Sequence, residues 1–209
     1  MLAAEGVVLL VDPGAPTVRK QQLYQRFTPH LRPFDSQADG DRVTVCGRMQ
    51  VLGAGRLLQP HPDLTLMLST SGSTASPKLV RLSARALASN AAAIAAALDL
   101  GPQERALANL PLTFSYGLSV LHSHLTAGAS VVLTGSSLAQ SGFWTSIEDC
   151  GCTSIAGVPA TYRALVQLRL LNRLGPVKTL TQAGGRLDPG TSDALREHAR
   201  HTGRRLVAM

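Results

Sequence analysis

A chain of 209 residues and 22.0 kDa is long enough to bury a core, and its 44% hydrophobic and 16% charged residues exclude intrinsic disorder. The net charge of +7 and isoelectric point near 10.0 favour anionic partners. Lys and Arg are scattered and aromatics make up only 4%, which argues against dedicated nucleic-acid binding.

Taken in chain order, the opening MLAAEGVVLLVDPG has no basic segment before its apolar run, and Glu5 and Asp12 cut that run, so it is not a signal peptide. Residues 6–11 read as a buried strand closed by Asp-Pro-Gly, and 15–30 as a surface helix. Residues 36–62 form an irregular connection with a β-hairpin built from 43–46 and 49–52. From there strands and helices alternate: a strand at 64–68, a helix at 84–98 capped by Ser83, a strand at 106–110 and a helix at 118–127 ended by Gly128. A strand at 130–134, a short helix at 143–149, a strand at 154–158 and a helix at 161–171 follow. The series closes with a strand at 177–182, a helix at 188–202 and a strand at 205–208. The alanine-rich stretch ARALASNAAAIAAALDL carries Arg85, Ser89, Asn90 and Asp99, so it is a packed helix and not a membrane span.

Apolar strands alternating with helices predict an α/β fold, a mainly parallel sheet with helices on both faces. The 209 residues are expected to form one domain or a compact part of a larger one, with a βα unit over 1–35, the connection over 36–62 and the repeated βα region over 63–209. In such sheets ligands bind at the carboxyl ends of the strands. Three loops there are unusual: STSGSTASPK after 64–68, PLTFSYGLS after 106–110 and AGGRL after 177–182. Cys46, Cys150 and Cys152 show no CxxC spacing and no accompanying His cluster, so they read as structural thiols in a reducing compartment. His122 and His124 stand two apart on a helix, face different ways, and read as structural or surface groups.

In STSGSTASPK, small residues let backbone N–H groups approach an anion, hydroxyls donate further hydrogen bonds, and Lys78 brings charge. This is phosphate chemistry. It is not a Walker loop: Pro77 removes an N–H that the cradle needs, and Leu79 stands where a hydroxyl would hold magnesium.

The segment LMLSTSGSTASPKLVRLS resembles the signature loop of the AMP-forming adenylating superfamily, which includes acyl- and aryl-CoA synthetases, luciferases and peptide-synthetase adenylation domains. Thr70, Ser71, Gly72, Ser73, Thr74, Pro77 and Lys78 match its pattern, whereas Ala75 and Leu79 replace two glycines. NLPLTFSYGLSVLHSHLTAGASVVL, SIAGVPATYRAL and TLTQAGGRLDP resemble later core segments in the same order.

The resemblance implies an AMP-forming ligase that activates a carboxylic acid with ATP and passes the acyl group to CoA or a carrier-protein thiol. By it, Ser69, Thr70, Ser71, Gly72, Ser73, Thr74 and Lys78 hold the triphosphate, with Lys78 catalytic. Ala183, Gly184, Gly185 and Arg186 border adenine, and Phe114, Tyr116, Gly157, Val158 and Pro159 line the acid pocket. ATP and Mg2+ are the implied cofactors. The Mg2+ ligand, a second catalytic lysine and the small C-terminal domain fall outside this chain, which corresponds to the middle of a family member. The chain alone is therefore expected to be inactive, and a homodimer through the uncovered edge of the last strand is one expectation. The implied setting is cytoplasmic, with neither nucleic acid nor membrane as partner. The alternative is a non-catalytic or degenerate nucleotide- or acyl-binding module, suggested by Ala75 and Leu79.

Overall fold

The structure is a computed structural model that describes residues 8–10, 18, 22, 31–33, 49–51, 61–69 and 79–209. The chain divides into two compact units, Met1–Ala86 and Leu87–Met209.

In the first unit, β1 (Val8–Leu10) pairs in parallel with β4 (Leu64–Ser69), which pairs antiparallel with β5 (Leu79–Ser83). Leu66 and Leu68 are buried on β4, as alternation along a half-covered strand requires. A separate antiparallel pair joins β2 (Leu31–Pro33) to β3 (Met49–Val51). In the hairpin expected over 43–46 and 49–52, residues 49–51 form β3, which pairs with 31–33, and 43–46 lies outside the described residues. Of the helix expected over 15–30, residues 18 and 22 are helical and exposed, and the rest lies outside the described residues. Strand β5 was not expected, because LVRLS is short and runs into the helix cap at Ser83.

Helix α1 (Ala84–Leu98) has the expected bounds, and the Ala86 N–H donates to Ser83 Oγ at 3.2 Å. This supplies one of the helix's orphan donors with a partner. The second unit continues with β6 (Arg105–Ala108), α2 (Ser115–Thr126), β7 (Ser130–Leu133), α3 (Ser141–Asp149), β8 (Ser154–Gly157) and α4 (Pro159–Gln167). A short 3-10 turn (Leu171–Leu174), β9 (Thr179–Gln182), α5 (Pro189–Thr202) and β10 (Arg205–Ala208) complete it. Helix α4 starts and stops earlier than the expected 161–171. Pro159 fixes a helical φ at its first position, and Arg169 turns left-handed at φ +53 just past its end.

All five strands of this unit are parallel, in the order β10-β9-β8-β6-β7. The register lines up Val132, Leu107, Ile155, Leu180 and Leu206 in one row across the sheet. This row packs with Phe143, Trp144 and Ile147 of α3, Tyr162 and Leu165 of α4, and Leu195 of α5. The opposite face carries small or hydroxylated residues, Ala106, Ser154, Ala156, Thr179 and Thr181, and receives Val120 of α2. Helices therefore cover both faces of a parallel sheet. The chain leaves β6 toward one edge, then returns past it to β8. That reversal puts the switch point, where such sheets bind ligands, at the carboxyl ends of β6 and β8.

His124 is buried at 3% exposure on the small-residue face. Its Nδ1–H donates to the Val120 carbonyl at 2.8 Å, so Nε2 accepts from the Ser154 hydroxyl at 3.2 Å. Both ring nitrogens are used by the neutral imidazole, in keeping with a structural role. Burial pushes its pKa below the ordinary 6.5, against smaller raising effects of the Val120 carbonyl and Glu104, and burial also lowers those of His122 and His198. A base whose folded pKa is depressed contributes stability that is present above the unfolded value and lost as pH falls through the folded one. The denaturation midpoint is therefore expected to fall on acidification below pH ~6.5. His124→Gln should flatten part of that dependence; an unchanged profile would remove His124 as a contributor. Cys152 is fully buried and its thiol is pushed up to about 11, chiefly by burial, as suits a structural cysteine.

Candidate active site at the carboxyl ends of the strands

The predicted site residues fall in both units. In the first, Ser69 ends β4 and pairs with Leu79 of β5. Thr70, Ser71, Gly72, Ser73, Thr74 and Lys78, with Ala75, lie outside the described residues, which resume at Leu79. Leu79 is a half-buried strand residue, so the glycine of the family pattern is replaced here by a residue suited to a strand. Leu79→Gly is accordingly expected to cost about 2 kcal/mol, from lost side-chain burial and added backbone entropy. Chemical denaturation of the variant checks this; a loss under about 0.5 kcal/mol would mean that Leu79 packs against little.

In the second unit, the loop after β6 and the start of α2 carry Phe114 and Tyr116. Phe114 is the N-cap residue of α2 and is 52% exposed, an unusual position for a large aromatic side chain. Tyr116 is half-buried, and its hydroxyl lies 2.8 Å from Thr181 Oγ1 of β9. Burial raises its pKa, partly offset by hydrogen bonds from Thr181 and the Gly157 backbone, so it is a neutral phenol. Its oxygen is committed to the protein, and what it can offer a ligand is its ring. The following residue, Gly117, is buried, and a Cβ there would stand 2.4 Å from the Pro111 carbonyl oxygen. Asn109 ties the same loop to β8 by donating from Nδ2 to the Ala156 carbonyl at 3.0 Å.

Gly157 ends β8, Val158 is the N-cap residue of α4 and Pro159 opens that helix. A Cβ on Gly157 would come within 2.6 Å of the Tyr162 ring, which lies fully buried. The Tyr162 hydroxyl donates to the Thr181 carbonyl at 2.7 Å, so the ring cannot easily give way.

Ala183, Gly184, Gly185 and Arg186 follow β9, and the last three are exposed. The Ala183 N–H donates to the Gly157 carbonyl at 3.3 Å, while a Cβ on Gly184 would lie 3.2 Å from Val158 Cγ1 and one on Gly185 3.4 Å from Pro159 Cγ. Their φ values of +80 and +142 suit glycine. The residues assigned to the acid pocket and to the base thus sit side by side at the ends of β8 and β9. Gly184 and Gly185 are exposed and, having no side chains, leave their peptide units bare. Among the described residues no group of three or more His, Cys, Asp and Glu side chains could hold a metal ion.

Sequence reasoning missed Thr181 and Gln182. Both were read as strand, although buried polar side chains at a strand's carboxyl end are a signal of work done there.

The model of the AMP-binding enzyme family matches residues 9–209. The chain belongs to this family. It is 39% identical over 108 residues to a sulfoacetate–CoA ligase of Cupriavidus necator, a match covering 51% of this chain and 21% of that protein. It is 33% identical over 116 residues to a probable CoA ligase, CCL9, of Humulus lupulus, covering 54% of this chain and 22% of that one. Among solved structures, CmiS6 superposes with TM-score 0.72 at 23% identity, covering 94% of this chain and 50% of its own. Escherichia coli MenE with bound OSB-AMS gives TM-score 0.68 at 21% identity, covering 95% of this chain and 42% of its own. These likenesses show the fold of the family member. The matches span about a fifth of the curated relatives' length and at most half of these structures. No described helix is long and apolar enough to cross a membrane.

Proposed function

We propose that this family member is part of a cytoplasmic ligase that uses ATP to convert a carboxylic acid to its acyl-adenylate. The acyl group then passes to a thiol. What carries this reading is the family match over residues 9–209, together with the neighbouring loops at the ends of β8 and β9. In the first step a carboxylate oxygen bonds to the α-phosphorus of ATP while the bond to pyrophosphate breaks. No covalent enzyme intermediate is needed, so stabilising the charge on phosphorus dominates the barrier. Lys78 and the hydroxyls and N–H groups of Ser69, Thr70, Ser71, Gly72, Ser73 and Thr74 supply that stabilisation in this reading.

The turn Ala183-Gly184-Gly185-Arg186 receives adenine, and Phe114, Tyr116, Gly157, Val158 and Pro159 border the acid. Because the Tyr116 hydroxyl is occupied by Thr181, the wall it makes is aromatic, which suits an apolar portion of the acid. The curated relatives carry the name CoA ligase, which favours CoA over a carrier-protein thiol as acceptor. The family's chemistry calls for Mg2+ with the nucleotide. In this reading its ligand is not among residues 1–209, which form part of one larger domain. A non-catalytic module is less favoured, because the strand pairing of Leu79 gives one of the two departures from the family pattern a structural reason.

The test is trapping of the acyl-adenylate by hydroxylamine in the complete gene product, across a panel of carboxylates. An ATP-dependent hydroxamate from one class of acid is expected; none from any acid would favour the non-catalytic reading.

A further inference from the structure

The Gly184-Gly185 turn has two residues in conformations that keep it from joining any ladder, and exposed turns of this kind hold their shape poorly without a tie. Here the tie is Gln182. It is the last residue of β9 and only 5% exposed, and its strand pairing to Gly157 and Ala208 holds its backbone in place. Its Nε2 donates both hydrogens, to the Ala183 carbonyl at 3.1 Å and to the Gly185 carbonyl at 2.7 Å. One side-chain amide therefore spans the turn.

This has two consequences. The Ala183 and Gly185 carbonyls each already accept one hydrogen bond from the protein, which ties them to Gln182. Among the described residues, the N–H groups of Gly184, Gly185 and Arg186 and the Gly184 carbonyl have no hydrogen-bond partner, and these three residues are exposed. The amide thus determines which groups of the turn meet a base, and it fixes the plane of the bare peptides on which a base would lie.

We propose that Gln182 is a positioning residue for the nucleotide, acting through the 183–185 turn and not by touching the acid. The inference rests on the adenine role assigned to that turn above. Only a side chain with two N–H donors on one atom, at this reach, closes both bonds. Glutamate has none, methionine has the shape alone, and asparagine is one methylene too short.

The experiment compares wild type with Gln182→Met and Gln182→Asn in the complete gene product, measuring KM for ATP, KM for the acid, kcat and thermal midpoint. Expected is a rise in KM for ATP of roughly tenfold in both variants, with KM for the acid within about twofold, since a broken positioning contact typically costs about 1.4 kcal/mol or more. Should Gln182→Met fail to fold, the asparagine variant, which keeps a buried polar group, carries the comparison. An ATP KM unchanged in a folded variant would overturn the inference and leave the function standing. So would parallel losses for both substrates that merely track the thermal midpoint. A wild-type protein that neither binds ATP nor activates any acid would instead remove the reading beneath it.

Discussion

Gly117→Ala is expected to destabilise the protein by about 3 kcal/mol, at the upper end of what overpacking costs. The added methyl carbon would stand 2.4 Å from the Pro111 carbonyl oxygen and 2.8 Å from that of Leu110. Both are backbone atoms, so no side chain can swing away; the loop or the helix must move. The loop runs on to Phe114, which caps α2, and to Tyr116, whose hydroxyl reaches Thr181, so the displacement is transmitted into the candidate acid pocket. The variant should therefore lose stability and raise the KM for the acid together. Urea denaturation and acid-dependent kinetics read the two effects. A loss below about 1 kcal/mol would mean that the loop yields easily and that Gly117 does not set the approach of α2.

Lys78→Ala is expected to slow adenylation by about 2 to 4 kcal/mol of barrier, roughly 30- to 1000-fold. The reason is that its charge is needed most when negative charge crowds the α-phosphorus, a condition met in the transition state and not in the bound acid. The KM for the acid should change far less than kcat. Single-turnover formation of the adenylate separates the two; unchanged adenylation would remove Lys78 from the mechanism.

The strands of the second unit were legible because they read as apolar runs between helices, with β8 and β9 buried along their whole length and Ser83 and Gly128 marking helix ends. The same pattern failed at β5, where the four residues between Lys78 and the Ser83 cap carry no turn signal of their own, and at β2, whose Pro33 argues against a strand. The candidate site was legible where backbone shape is written in residue type, as in Gly184-Gly185, whose conformations suit glycine. It was not legible where a side chain works through space. Nothing local in TLTQAGG says that Gln182 folds forward onto the two carbonyls beyond it, or that Thr181 meets the hydroxyls of both Tyr116 and Tyr162. The two Thr181 contacts join residues 19 and 65 positions apart in the chain, and only the sheet order brings them together.

The most direct test of acid activation is exchange of labelled pyrophosphate into ATP by the complete gene product, run with and without each member of a carboxylate panel. Exchange requires reversible formation of an acyl-adenylate and needs no knowledge of the thiol acceptor. The expected result is exchange that depends on one class of acid, saturates with it and collapses in Lys78→Ala. A folded protein that exchanges no pyrophosphate with any carboxylate, or exchanges equally without one, would contradict it.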